Sequence, residues 1–382
     1  MDKKNSRYTA VYVLNRVFRD NAYSNLLLKD IKDSENIKFC TALVYGTLNY
    51  ALQLDFIIEK YTSKKLDIEI RNILRTALYQ IIYMKTPSNA VVNESVKLAK
   101  AFKKTSAGGF INAILRKFLR EYSNEEYFKD IKEHIKYSVP KWLYDLLLEQ
   151  YGKEDTVAFL ENALLPPPAN DGEYSQDFSS YLACEALNVK NGMTVLDMCA
   201  APGGKTFTIS KMLNCTGKIY AVDLHPHRVQ LIEETAKKLG LENITALCGD
   251  SAVIDNLSLA DRILCDVPCS GLGVIRRKPD IKLKPLPNLK DIQYSILENA
   301  SRFLKNGGEL VYSTCTLNKE ENKIIVEKFL ENHNDFQLVV IDFKSTEIKL
   351  STMEKPMVTI LPKYFNSDGF FIAKFRKNQK ND

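Results

Sequence analysis

In the run Thr194-Val195-Leu196-Asp197-Met198-Cys199-Ala200-Ala201-Pro202-Gly203-Gly204-Lys205, a short β-rich segment gives way, at two glycines, to helix-forming sequence. An apolar strand with little polar alternation reads as buried on both faces, as in a parallel sheet. Glycines at the turn let the backbone approach a ligand closely, and the following helix presents free N–H groups. Tight βα turns also use glycine for packing, so this turn alone identifies nothing.

Outward from the turn the same grammar repeats. Residues 194–198, 218–222, 244–248, 262–265 and 309–313 read as buried parallel strands, with helices over 205–213, 226–239 and 289–304. Such alternation predicts a doubly wound, Rossmann-like α/β sheet. Residues 336–341 and 369–375 add two strands, giving a seven-stranded, mostly parallel sheet. The second strand runs into Asp223, twenty residues after Gly203, where a carboxylate accepts hydrogen bonds from ribose hydroxyls. The third leads to Asp250, placed for an adenine edge. The P-loop pattern G-x-x-x-x-G-K is absent, and A-x-G-G-K-T stands in place of G-x-G-x-x-G. A nicotinamide oxidoreductase is disfavoured by that difference and by the lack of an obvious hydride-transfer histidine or tyrosine.

Upstream, residues 6–122 are helical in pattern. Ala10, Val13, Leu14, Val17 and Phe18 form one apolar stripe, and similar stripes recur at 43–50, 70–84, 89–102 and 109–119. The expected organisation is an all-helical domain over 1–140, a helical linker over 141–173 ending in Pro166-Pro167-Pro168, and the α/β domain over 174–382. Charge follows the same division. Residues 1–140 carry 24 Lys and Arg against 15 Asp and Glu, a net of +9, while the remainder is net −3. A polyanionic partner such as nucleic acid fits that asymmetry, although Lys-rich helix surfaces produce it too.

Other classes are poorly supported. No apolar run is long enough to cross a bilayer, and the first residues lack a signal-peptide h-region. The eight cysteines show no paired spacing and no C-x-x-C, and there are four histidines, so no disulfide framework and no metal site are expected. Reduced thiols point to the cytoplasm.

Two cysteines stand apart. Cys40, Cys184, Cys215, Cys248 and Cys265 are read as small apolar residues. Cys269, in Cys265-Asp266-Val267-Pro268-Cys269-Ser270-Gly271, and Cys315, in Tyr312-Ser313-Thr314-Cys315-Thr316-Leu317, lie where the fourth and fifth strands open toward the crevice.

Taken in order, D-x-C-A-A-P-G-G-K, A-V-D-x-x-x-x-R, G-D, D-V-P-C-S-G-x-G and Y-S-T-C-T resemble the RNA 5-methylcytosine methyltransferases, nearest the bacterial small-subunit ribosomal branch called Fmu, Sun or RsmB. Ala42-Leu43-Val44-Tyr45-Gly46-Thr47-Leu48 and Gly109-Phe110-Ile111-Asn112-Ala113-Ile114-Leu115-Arg116 are similar to the NusB-like RNA-binding domain of that branch. The resemblance implies a methyltransferase that uses S-adenosylmethionine on a cytosine of small-subunit (16S) ribosomal RNA. Carbon 5 of cytosine is a poor nucleophile, and a thiolate adding at carbon 6 makes an enamine that takes the methyl group. Cys315 is then the nucleophile, Cys269 the helper in product release, and Asp266 the group serving N3 and the exocyclic amine. Cys199, Ala200, Ala201, Pro202, Gly203, Gly204, Lys205, Asp223, Asp250 and Asp266 are implied to bind cofactor, with Arg228 supporting Asp223. Arg276, Arg277, Lys278 and Lys282 are expected to contact RNA phosphates.

The sequence departs from the family at one place. Only residues 169–173 separate the prolines from Tyr174-Ser175-Gln176-Asp177, where the family carries a small α/β subdomain opening with R-x-N. The alternative function is therefore an RNA-binding protein that keeps the cofactor pocket with weak or lost catalysis.

Overall fold

The computed structural model describes residues 5–31, 37–122, 127–128, 131–167, 176–345 and 356–379. The last proline of the triplet, residues 169–173 and Tyr174-Ser175 lie outside them. Two compact units result. The first is Met1–Glu149 with Ala163–Pro166 and Ile275–Pro285, and the second is Gln150–Asn162, Pro167–Val274 and Leu286–Asp382.

The first unit is helical: α1 (Ser6–Asp20), α2 (Ser24–Lys29), α3 (Ile37–Asn49), α4 (Ala51–Tyr61), α5 (Ile68–Ile82), α6 (Ser88–Ala101), α7 (Gly108–Glu121) and α8 (Glu133–Lys136), followed by the start of α9 (Lys141–Leu164). Asn5 caps α1 by accepting from the N–H groups of Arg7 and Tyr8, and Asn21 ends it in the left-handed conformation. Ala10, Val13, Leu14 and Val17 are buried as the spacing predicts. In α7, Ile111, Ile114, Leu115 and Phe118 fall at i, i+3, i+4 and i+7, and all are buried. Burying a side chain such as Phe118 contributes about 2–3 kcal/mol. Gly46 is needed because a Cβ there would sit 1.9 Å from the Tyr79 ring. The buried Arg75 guanidinium is held by Asp55 (2.8 and 2.5 Å) and Asn72 (2.8 Å). The linker helix α9 is interrupted at Gly152, whose φ of 74° is non-helical.

The segment Ile275–Pro285 belongs to this helical unit although its sequence lies within the 174–382 stretch. Asp280 is buried and accepts from Ser24 Oγ at 2.6 Å. Leu283 packs against the cluster of Leu14, Leu43 and Leu48. Lys282 has no exposed surface, and its Nζ donates to the main-chain and side-chain oxygens of Asn49 at 2.8 and 3.0 Å. The expectation that Lys282 contacts phosphate is corrected here: its amine is sequestered in the protein interior.

The second unit is built on strands β1 (Thr194–Asp197), β2 (Lys218–Asp223), β3 (Ile244–Cys248), β4 (Ala260–Asp266), β5 (Leu304–Thr314), β6 (Phe336–Leu338), β7 (Met357–Ile360) and β8 (Phe370–Lys377). Their order is β3-β2-β1-β4-β5-β8-β6, with β7 also on β8. The first five are parallel, and β8 is antiparallel to β5, β6 and β7. β6 pairs with the end of β8 and β7 with its start, so the two share one edge. Among the described residues, eight strands thus occupy the seven positions expected. The four-residue β7 carries too little periodicity to be read from sequence.

Helices α10 (Phe178–Ala186), α11 (Gly204–Met212), α12 (Pro226–Lys238), α13 (Lys290–Arg302), α14 (Lys323–Asn332) and α15 (Pro362–Phe365) complete the unit. Successive strand residues enter opposite cores: Leu196, Ile263 and Leu310 join one cluster, and Val195, Leu264 and Val311 the other. Both faces are therefore covered. The chain order reverses between β1 and β4, and the crevice beyond those carboxyl ends is where such sheets bind ligands.

Candidate active site

A cleft of about 380 Å³ opens at that point, lined by Met198, Cys199, Ala201, Asp223, Leu224, His225, Arg228, Asp250, Ser251, Asp266, Val267, Pro268, Cys269, Ile292, Ile296 and Cys315. Most of these side chains come from the carboxyl ends of β1 to β5 and the turns that follow. The turn after β1 depends on Gly203, whose φ is 105° and where a Cβ would lie 2.3 Å from the Phe207 ring. Asp223 is fixed at the end of β2 by main-chain donors, Ala201 N–H at 3.2 Å and His225 N–H at 3.1 Å. Asp250 accepts from Ala252 N–H at 2.9 Å. The cleft thus brings together carboxylates suited to a nucleoside's ribose and base edge, beside apolar Met198, Leu224, Ile292 and Ile296. This donor and acceptor set fits an adenosine-type cofactor.

Beneath the cleft, Asp266 uses both oxygens. Oδ2 pairs with Lys205 Nζ at 2.6 Å, and Oδ1 accepts from Ser313 Oγ at 2.8 Å. Burial alone would lower the Lys205 pKa, but the Asp266 carboxylate reverses this and raises it, so the ammonium stays charged. The Cys315 sulfur acts on Lys205 in the same direction. Cys269 Sγ and Cys315 Sγ are 3.2 Å apart, both half-buried and neither in a disulfide. The hydrogen bond with Cys315, and then burial, push the Cys269 thiol well above its ordinary range. Burial does the same to Cys199.

The two cysteine loops are tied by a buried polar network that the sequence reading missed. Glu321 accepts from Ser270 N–H (2.8 Å), Ser270 Oγ (2.5 Å), Gln293 Nε2 (3.0 Å) and Asn318 Nδ2 (3.2 Å). Ser270 Oγ also meets Thr316 Oγ1 at 2.8 Å, and Gln293 donates to the Pro268 carbonyl at 2.8 Å. The available signal was an acid shortly after Cys315. Nothing in the sequence pointed to Gln293.

The remaining predicted residues divide. Cys199, Ala201, Asp223, Asp250, Asp266, Cys269 and Cys315 share the cleft, and Lys205 lies beside it through Asp266. Ala200 is buried, Pro202 is exposed, and Gly203 and Gly204 form the turn and the helix start. Arg228 lines the cleft, but the nearby turn's own N–H groups hold Asp223 in place of the expected Arg228 contact. In the helical unit, Arg276 donates to the carbonyls of Leu165 (3.3 Å) and Pro166 (2.5 Å), while Lys278 is exposed and Arg277 partly so. Among the described residues no His, Cys, Asp or Glu cluster could hold a metal, and no helix is long and apolar enough to cross a membrane.

The chain is similar to known proteins over almost its whole length. The family described as 16S rRNA methyltransferase RsmB/F matches residues 184–376, and the NusB family matches residues 4–120. The probable ribosomal RNA small subunit methyltransferase B of Bacillus subtilis is 34% identical over 452 aligned positions, covering 99% of this chain and 100% of that protein. Its namesake from Synechocystis is 32% identical, covering 97% and 99%. Since the chain has 382 residues, the Bacillus protein carries several dozen positions that this one lacks. Among solved structures, a methyltransferase homologue from Pyrococcus horikoshii is 27% identical with a TM-score of 0.53, covering 64% of this chain and 97% of that one. The crystal structure of PH0851, at 21% identity and a TM-score of 0.76, covers 97% and 99% and agrees in fold.

Proposed function

Because the chain belongs to the 16S rRNA methyltransferase RsmB/F family, with a NusB-family domain at its N-terminal end, we propose that it methylates carbon 5 of a cytosine in small-subunit ribosomal RNA through a covalent Cys315 adduct. The family is S-adenosylmethionine-dependent, and when bound that cofactor supplies an electrophilic methyl group. The observation that carries the finer reading is the pair of thiols 3.2 Å apart, in one cleft with Asp266, Asp223 and Asp250.

On this reading Asp223 binds the ribose hydroxyls and Asp250 the base edge of the cofactor. The target cytosine is drawn out of its RNA stack to enter the cleft. Cys315, as thiolate, forms a bond to carbon 6, and the displaced electron pair makes carbon 5 nucleophilic. Asp266, oriented by Lys205 and Ser313, serves the pyrimidine's N3 and exocyclic amine. After methyl transfer a solvent water takes the carbon 5 proton, the electron pair of that C–H bond re-forms the 5,6 double bond as the carbon 6–sulfur bond breaks, and Cys269 assists release of the Cys315 thiolate. The net +9 of residues 1–140, together with Arg276, Arg277 and Lys278, suits the RNA backbone.

The test is incubation of the purified protein with unmodified small-subunit ribosomal RNA and methyl-labelled cofactor, followed by nucleoside analysis. Label is expected in 5-methylcytidine and is expected to vanish with Cys315→Ala. The positions missing relative to the Bacillus protein favour one second reading, an RNA-binding protein with weak or lost catalysis. Cofactor binding without any transfer would select it.

A further inference from the structure

Two thiols at 3.2 Å pose a chemical problem, because only one of them can serve as the nucleophile. Two adjacent thiolates repel, so the site must favour ionisation of one and protonation of the other. Glu321 is placed to make that distinction. It lies in the 3₁₀ turn Lys319–Glu321, just past β5, and is 1% exposed. Three of its side-chain hydrogen bonds come from N–H groups and one from the Ser270 hydroxyl, so both of its oxygens are used as acceptors. Burying an anion costs several kcal/mol unless it is compensated, and packing alone gives no reason to retain one.

The donors connect the carboxylate to both loops. Ser270 immediately follows Cys269, and its N–H and Oγ both bind Glu321, fixing the Cys269 main chain. Asn318, three residues past Cys315, binds the same group, and Tyr312 Oη donates to the Glu321 main-chain oxygen at 2.6 Å. The ionisable groups facing Cys269 are Cys315, Glu321, Asp266 and the buried Tyr312 phenol, each neutral or negative. The nearby cation, Lys205, is paired with Asp266 and interacts with Cys315. The buried Glu321 side chain thus bonds twice to the residue that follows Cys269, and negative charge is disfavoured at Cys269.

We infer that Glu321 is a positioning residue that divides the labour of the two cysteines, keeping Cys269 a protonated donor and leaving Cys315 to ionise. The inference rests on the reading of Cys315 as nucleophile, but its test does not require RNA. Full-length protein is treated with iodoacetamide over a pH series, and alkylation of each cysteine is followed by mass spectrometry, with exposed Cys215 as internal reference. Thiolate is the reactive form, so a one-unit difference in pKa gives roughly tenfold in rate.

In the wild type Cys315 should react at least about tenfold faster than Cys269. Glu321→Gln should narrow the gap several-fold by speeding Cys269 and moving its profile to lower pH. Ser270→Ala, which keeps the carboxylate, should retain the selectivity. The inference is overturned if wild-type Cys269 reacts as fast as Cys315. It is equally overturned if Glu321→Gln still binds cofactor with unchanged selectivity, or if Ser270→Ala collapses selectivity as Glu321→Gln does. Should Cys315→Ala still transfer methyl groups while the alkylation order holds, the nucleophile assignment and the division of labour built on it both fall, and what stands is Glu321's control of which thiol ionises.

Discussion

The Lys282 amine lies 2.8 Å from the main-chain oxygen of Asn49, with no exposed surface and two neutral acceptors. Burial pushes its pKa down to about 7 from an ordinary value of 10.5. Below pH 7 the amine is charged in both folded and unfolded chains, and the cost of burying it is fully present. Between about 7 and 10.5 the unfolded chain binds the extra proton, so stability rises with pH. Lys282→Met removes this dependence. The stability of wild type relative to the variant should increase through that window by up to about 1.4 kcal/mol per pH unit. Urea unfolding of both proteins at pH 6.5 and 8.5 checks this, and parallel profiles would exclude it.

Gly273 tests how tightly the Cys315 backbone is held. Its N–H donates to the Cys315 carbonyl at 3.0 Å, and its own carbonyl accepts from Gly369 N–H at 2.9 Å. A Cβ would lie 2.0 Å from the Gly369 oxygen and 2.8 Å from the Cys315 oxygen, and both obstacles are main chain. Gly273→Ala should therefore displace Cys315, lower methyl transfer more than tenfold, and cost about 2 kcal/mol of stability. Gly109→Ala is the control. No atom lies within 4 Å of its Cβ position on α7, and helix propensity favours alanine by up to about 1 kcal/mol. Melting curves and transfer rates of the two variants should diverge in that pattern.

These residues mark what was readable from the sequence. The parallel strands were recoverable because Val195, Leu196, Ile263 and Leu264 form short apolar runs between turn signals, and the cleft carboxylates because they lie at strand ends. Glu321 and Gln293 are polar residues on a turn and a helix, and only tertiary packing makes them neighbours of the cysteine loops. Lys282 was misread for a related reason. A basic residue in a charged loop resembles a phosphate contact until the chain path carries it into a core beside Leu283. Local spacing specifies strands and turns, but long-range burial decides which polar side chains are sequestered.

The Lys205–Asp266 pair is mostly shielded, with side-chain exposures of 16% and 23%. Removing Asp266 leaves an ammonium in poor solvent contact without its counterion, and removing Lys205 does the reverse. A double-mutant cycle of Lys205→Met and Asp266→Asn should give a coupling energy of about 1–3 kcal/mol. Measured by urea unfolding in low and high salt, the coupling should persist in salt, because shielded charges are screened little. A value near zero would place the pair with weak surface ion pairs.

Cys269 provides the sharpest test of the order of chemical steps. If its thiol serves only after methyl transfer, then Cys269→Ala leaves Cys315 able to add to carbon 6 and the methyl group able to transfer. Breaking the carbon 6–sulfur bond should be the slow step in that variant. Protein–RNA adduct should accumulate on mixing with substrate RNA and cofactor, visible as a slow-migrating band on denaturing gels that disappears on nuclease treatment. Cys315→Ala and the double variant should form none. Because the sulfurs are only 3.2 Å apart, the small Cys269→Ala change could instead let water reach the site, and release would then proceed at the wild-type rate. Failure to trap adduct while turnover stays normal would remove Cys269 from the release step and leave Cys315 as the thiol the reaction requires.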